Sequence, residues 1–135
     1  MNMKPMSILI VEDEADVRDV LNEMLEIFGH KVTVVSDGLE ALKIALAQKF
    51  DIIITDLGIP GMNGLDLVKG IRKEKISTPI LIITGVIFEN SDRELKEIQP
   101  CRVLMKPFRI EDLKRNLTSL LESRDGALQK AFKSK

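Results

Sequence analysis

Short apolar runs alternate along this chain with stretches in which apolar residues recur every three or four positions. Ser7-Ile8-Leu9-Ile10-Val11 predicts a first strand, and it ends in three acids, Glu12, Asp13 and Glu14. From Ala15 the period changes, and Val17, Val20, Leu21, Met24, Leu25 and Phe28 form one stripe of an amphipathic helix. Gly29 closes that helix in the way glycine commonly does. The β-branched run Lys31-Val32-Thr33-Val34-Val35 predicts a second strand. Asp37, with Glu40 three residues later, resembles a capping box for a helix over 39–49, whose buried side would be Leu39, Leu42 and Leu46.

The next run, Asp51-Ile52-Ile53-Ile54-Thr55-Asp56, has the unbroken apolar centre of a strand buried on both faces. A loop rich in Gly and Pro follows it, and a helix begins at Asn63 or Gly64 and reaches about Lys73, with Leu67, Val68 and Ile71 inward. Pro79 has no N–H to give to a ladder and suits the first position of a fourth strand over 79–83, which ends at Thr84-Gly85. Ser91 and Glu94 repeat the capping-box pattern before a short helix. Only Leu95 and Ile98 give that helix an apolar face before Pro100, so it is expected to be loosely held. Cys101 to Met105 predicts the fifth strand, Lys106-Pro107 follows, and Ile110, Leu113, Leu117, Leu120 and Leu121 mark the final helix. Residues 1–123 read as one domain, and 124–135 as a frayed helical extension or the start of a linker.

Five strands alternating with five helices through short connections imply a parallel sheet with helices on both faces. The expected architecture is a three-layer, doubly wound α/β fold with strand order 2-1-3-4-5, whose switch point lies between strands 1 and 3. Composition is consistent with this: 135 residues, 44% apolar and 30% charged, suit one globular domain. A formal net charge of -1 calls for neither nucleic acid nor an anionic membrane as the main partner. No apolar stretch approaches a membrane span or a signal peptide, which makes the cytoplasm the expected compartment. A single cysteine, Cys101, excludes an internal disulfide and is read as packing.

The topology gives the polar residues a common address. Glu12 and Asp13 end strand 1, Asp56 ends strand 3, Thr84 ends strand 4 and Lys106 ends strand 5, all at the edge where ligands bind in open α/β sheets. Taken singly, each has a plain explanation: Asp56 as turn chemistry beside Gly and Pro, the first two acids as favourable neighbours of a helix N-terminus, Lys106 as one solvated lysine among many. Taken together they do not, because three converging carboxylates repel one another unless a cation lies among them. An all-oxygen set without His or Cys selects a hard divalent ion, with Mg²⁺ the first choice. Acids, a metal, a hydroxyl and a lysine fit phosphoryl chemistry, with Asp56 as the group that attacks phosphorus. There is no phosphate loop of the GxxxxGK[ST] type, so the donor is expected to be a partner's phosphohistidine or a small acyl phosphate rather than ATP.

Val11-Glu12-Asp13-Glu14, Asp56-Leu57-Gly58-Ile59-Pro60-Gly61-Met62-Asn63-Gly64, Thr84-Gly85 and Lys106-Pro107-Phe108 together resemble the response-regulator receiver domain of bacterial two-component systems, over about Ser7 to Leu121. The resemblance implies a flavodoxin-like receiver fold and Asp56 as phosphoacceptor. It implies Mg²⁺ on Asp13, Asp56 and the backbone carbonyl of Gly58, with Glu12 helping through water. Thr84 would bind the attached phosphoryl group, Lys106 would pair with it, and the Lys106–Pro107 bond would be cis. The implied partners are a sensor histidine kinase or phosphotransfer protein, and an output domain or target protein, with a phosphorylation-dependent homodimer as a further option. The switch would catalyse only its own phosphorylation and dephosphorylation, and its output would run through helix 4, strand 5 and helix 5.

Three features depart from the family pattern. Val103 stands where Tyr or Phe is common, which shifts the expected output toward Thr84, the 86–90 loop and the short helix after it. Gln99-Pro100-Cys101 replaces a common Gly-Ala pair, and Gly58 offers no side chain to shield a phosphoryl group. Two alternatives stay open: a pseudo-receiver that only binds proteins, and an aspartyl-phosphate phosphohydrolase. The second would need an acid where Gly58 stands.

Overall fold

A computed structural model describes residues 4–86 and 92–133. The chain alternates β1 (Ser7–Val11), α1 (Ala15–Ile27), β2 (Lys31–Val35), α2 (Gly38–Ala47), β3 (Ile52–Asp56), α3 (Gly64–Lys73), β4 (Ile80–Thr84), α4 (Asp92–Ile98), β5 (Cys101–Met105) and α5 (Ile110–Lys133). All neighbouring strands are parallel, in the order β2-β1-β3-β4-β5. The expected three-layer, doubly wound architecture is therefore the one observed. The pattern is readable because β3 and β4 are buried at every position while the edge strands β2 and β5 are only partly covered.

Side chains alternate between two cores. Leu9, Val11, Ile53, Ile80 and Ile82 pack with α2, α3 and Ile98 on one face. Ile8, Ile10, Ile54, Leu81 and Ile83 pack with α1 and with Leu113, Leu117 and Leu120 of α5 on the other. Gly29 closes α1 in a left-handed conformation with φ of 92°, its amide donating to the Glu26 carbonyl.

Two helix faces differ from expectation. In α2 the buried residues are Gly38, Ala41 and Ala45, whereas Leu39 and Leu46 are 48% and 46% exposed. Small side chains let α2 lie close to its neighbours, with Leu42 alone of the three leucines reaching inward toward Gly70. In α1, Leu21 and Leu25 form the buried strip and Val20 is 52% exposed at its flank. The Asp37 carboxylate accepts from the amides of Leu39 and Glu40, as an N-cap should, so α2 starts one residue earlier than the leucine pattern implies.

Among the described side chains of α4, only Ile98 is buried, in keeping with the short apolar face expected there. Ser91, the proposed cap of this helix, and residues 87–90 of the preceding loop lie outside the described residues. The Gln99–Pro100 and Lys106–Pro107 bonds are both cis, the second as the resemblance implies. At its far end α5 continues as helix through Lys133.

Candidate functional site

Strand register brings the polar strand ends to one edge. Val11 pairs with both Val35 and Thr55, Asp56 with Ile83, and Thr84 with Met105. Glu12, Asp56, Thr84 and Lys106 therefore emerge side by side where the strands stop. A backbone bond from the Lys106 amide to the Thr84 carbonyl, 2.8 Å, ties the last two strands together at this point.

Lys106 is the centre of the charged cluster. Its Nζ lies 2.7 Å from Asp56 Oδ2, 3.4 Å from Glu12 Oε2 and 3.8 Å from Glu14 Oε1. Asp56 Oδ1 accepts from the Gly58 amide at 3.1 Å. Glu12 Oε1 accepts from the Glu14 amide at 3.1 Å, and the Glu12 carbonyl accepts from Arg18 Nη1 at 3.2 Å. Glu12 and Asp56 are buried, whereas Asp13 is exposed at the mouth.

These contacts set opposite protonation tendencies in two neighbouring acids. Burial would push Asp56 up, but hydrogen bonds from Lys106 and the Gly58 amide, with the Lys106 charge, hold its carboxyl below the usual range. Burial pushes Glu12 up to about 7 despite the Glu14 amide, and the Asp56 charge adds to the rise. Lys106 is itself raised: burial works against its charge, but the Asp56 hydrogen bond and the surrounding acids outweigh it. The arrangement favours an ionised Asp56 beside a neighbour that gives up its proton late.

One carboxylate oxygen each from Glu12, Asp13 and Asp56 lies within 4.8 Å of the others. An oxygen-only set of this size, open to solvent through Asp13, fits a hard divalent ion that keeps part of its water shell.

The loop after Asp56 is fixed by close backbone approach. The Gly64 amide donates to the Leu57 carbonyl at 2.8 Å, and a Cβ on Gly64 would stand 2.3 Å from the Asp56 carbonyl oxygen. The Gly38 amide donates to the Pro60 carbonyl at 2.9 Å, so the start of α2 braces the same loop. Gly58 has nothing within 4 Å of where its Cβ would be.

The expected residues Glu12, Asp13, Asp56 and Lys106 thus meet in one cluster, with Gly58 bonded to it. Thr84 is buried one residue beyond Ile83, the register partner of Asp56, and its hydroxyl accepts from the Val86 amide at 3.2 Å. Val103 pairs with Ile82 and packs toward the α2–α3 core. Arg18 and Glu14 join the site without a distinct signal in the sequence: one is a lone base in an acidic helix, the other the third of three acids.

A family model for the response regulator receiver domain matches residues 8–118. The two-component response regulator PhoP of Pseudomonas aeruginosa is 36% identical over 129 residues, covering 96% of this chain and 57% of that protein. The chain spans about half the length of several curated relatives it matches. Among solved structures, the Vibrio cholerae chemotaxis protein CheY4 superposes with a TM-score of 0.77 at 32% identity, covering 87% of this chain and 99% of that one. The receiver domain of a Pseudomonas aeruginosa sensor histidine kinase, solved with magnesium in its active-site cleft, gives 0.76 at 31% identity, covering 87% and 98%.

Proposed function

The chain belongs to the response regulator receiver domain family, and from that premise we propose that it is a switch phosphorylated on Asp56 by a phosphohistidine of a sensor kinase or phosphotransfer protein. The observation that supports this most is the Lys106 ammonium 2.7 Å from the Asp56 carboxylate, beside two further carboxylates. A low-pKa carboxylate at a sheet edge is a competent nucleophile when neighbouring cations neutralise the incoming phosphate.

In the proposed reaction an Asp56 carboxylate oxygen forms a bond to phosphorus as the phosphorus–nitrogen bond of the donor breaks. The electron pair of that bond stays on the imidazole nitrogen. Lys106, already seated on Asp56, neutralises charge on the transferred group, and the Thr84 hydroxyl, which accepts from the Val86 amide, donates its O–H to a phosphoryl oxygen. Asp13, Asp56 and the Gly58 carbonyl, with Glu12 helping through water, would hold Mg²⁺, which would supply further charge neutralisation. No second acid follows Asp56 at position 58, so the chemistry stops at the acyl phosphate until water or a partner removes it. Phosphohydrolase turnover is not expected.

Phosphorylation adds a charge of about -1.5 to -2. That charge favours the arrangement in which Thr84 and Lys106 converge on it, and the α4–β5–α5 face differs between the two states. The reader of that face is an output domain, a target protein or a second phosphorylated copy, with no direct nucleic-acid or membrane contact by this domain. Residues 1–123 form the receiver unit, 124–135 its tail or linker, and the switch works in the cytoplasm. Among the described residues no helix is long and apolar enough to cross a membrane.

The test is to incubate the protein with acetyl phosphate and Mg²⁺ and to weigh it intact. One phosphoryl adduct is expected, absent in Asp56→Asn and absent with chelator. An adduct that survives Asp56→Asn defeats the assignment. Steady release of phosphate from a phosphomonoester would support the hydrolase reading instead.

A further inference from the structure

Arg72, half-buried in the last turn of α3, spreads its guanidinium over three backbone carbonyls. Nε donates to Ile98 at 2.9 Å, Nη1 to Ile76 at 2.9 Å and Nη2 to Pro100 at 2.8 Å. These belong to the final residue of α4, the α3–β4 connection and the α4–β5 connection. The Pro100 carbonyl also accepts from the Ile80 amide at 3.0 Å, so the same junction reaches the first residue of β4. One turn earlier, Lys69 Nζ meets Glu94 Oε2 at 3.0 Å, a second link from α3 to α4.

The chemistry of this junction favours a fixed attachment. Carbonyls at a helix C-terminus have no partner within the helix, and a cation there complements the helix dipole. A planar guanidinium can hold several acceptors at set angles, which an ammonium cannot copy. Burying a charge is costly unless it is hydrogen-bonded, and here three carbonyls meet that requirement. Ile98, the one buried side chain among those described in α4, lies at the same end. The buried Ile98 side chain and the Ile98 carbonyl's bond to Arg72 therefore both fall on the last turn of the helix, and the other two carbonyls tie that turn to the connections beside it.

We infer that Arg72 is the pivot of α4: it fixes the carboxyl end of that helix to α3 and to the start of β4. A change in α4 on phosphorylation then swings its amino end about a stationary carboxyl end. The inference rests on the phosphoacceptor reading for the change itself, and on the Arg72 geometry for the anchor. It also offers a route to α4 that does not pass through position 103. α3 starts against the backbone of Asp56 and Leu57 at Gly64 and ends on α4 at Arg72.

Amide hydrogen exchange on the full chain tests this, comparing wild type with Arg72→Ala and Arg72→Lys, before and after acetyl phosphate with Mg²⁺. Intact masses are taken from the same samples. In wild type, phosphorylation is expected to change exchange at 92–95 and leave Ile98 and Ile80 within about twofold. In Arg72→Ala, resting exchange at Ile98 and Ile80 should rise roughly tenfold or more, as loss of hydrogen bonds to a charged group implies. The effect of phosphorylation should then spread along the whole helix. Arg72→Lys keeps the stem and the charge but not the fork, and should fall between; it gives the same comparison where the alanine variant fails to fold. Resting exchange unchanged in both variants, or a wild-type response as large at Ile98 as at 92–95, overturns the pivot. A missing adduct in all three proteins overturns the phosphoacceptor reading, while the resting comparison still decides the anchor.

Discussion

Lys106 Nζ sits 2.7 Å from Asp56 Oδ2, although the two residues lie fifty positions apart, at the ends of strands β5 and β3 that do not touch. β4 separates β3 from β5, so the contact closes above the end of β4, over Thr84. That position explains how one lysine can also reach Glu12 on β1's side of the switch point. Parallel strands ending in register bring their last residues within one side-chain length, and a long, flexible cation spans what remains.

Replacing Lys106 by Ala should leave Asp56 buried next to Glu12 without its hydrogen-bonding cation. The Asp56 carboxyl is then expected to titrate higher than in wild type, since the first group holding it down is gone. Phosphorylation by acetyl phosphate should slow by about a hundredfold to a thousandfold, the range for removing one donor that stabilises developing charge in a reacting site. The time course of the intact-mass adduct measures this. A rate equal to wild type would remove Lys106 from the mechanism.

Divalent-ion binding should stabilise the fold, because a ligand that binds only the native state adds to its stability. At a free concentration of about 100 Kd that gain is roughly 2.7 kcal/mol. Thermal unfolding with Mg²⁺ and with chelator is expected to show a higher midpoint with the ion in wild type. The difference should shrink strongly in Asp13→Ala. Asp13 is exposed, so its loss should leave the metal-free midpoint nearly unchanged.

The sheet, its order and the strand-end cluster were legible in the sequence because parallel strands buried on both faces are written as unbroken apolar runs. β3 and β4 are the clearest cases. The face of α2 was not legible, since apolar periodicity selects the leucines, while close packing selects Ala41 and Ala45. The supporting contacts were hidden for a different reason. Arg18 and Arg72 bond to backbone carbonyls, and a carbonyl leaves no mark in the residue pattern. The bracing of the Asp56 loop by Gly38 likewise depends on where two backbones meet, not on which residues surround them.

Gly64→Ala and Gly58→Ala should behave oppositely. A Cβ at Gly64 would stand 2.3 Å from the Asp56 carbonyl oxygen and 2.9 Å from Leu57 Cα, both backbone atoms, so the loop must shift. A loss of about 1–3 kcal/mol is expected from such overpacking, with slower phosphorylation as Asp56 moves. At Gly58 nothing lies within 4 Å, so alanine should leave stability unchanged or slightly raised. Its methyl group would partly cover the acceptor, and the aspartyl phosphate is expected to last longer than in wild type. Urea unfolding and the decay of the adduct separate the two effects.

A pH dependence of stability should come from His30, which is buried behind the start of β1. Its Nδ1 accepts from the Met6 amide at 3.1 Å, and its Nε2 is buried without a hydrogen-bond partner among the described residues. Protonating Nδ1 would turn two donors toward each other, and burial already lowers the His30 pKa below its ordinary 6.5, with Asp51 pulling weakly the other way. A histidine that folds neutral binds protons more readily when unfolded. Its contribution is therefore complete above about 6.5 and is lost as pH falls through the lowered folded value. In urea midpoints measured from pH 8 to pH 5, wild type should lose stability relative to His30→Gln, which cannot take up a proton; Glu12, held up to about 7, acts in the opposite sense in both proteins and cancels in that difference. Parallel curves for the two proteins across that window would show that His30 does not report on pH.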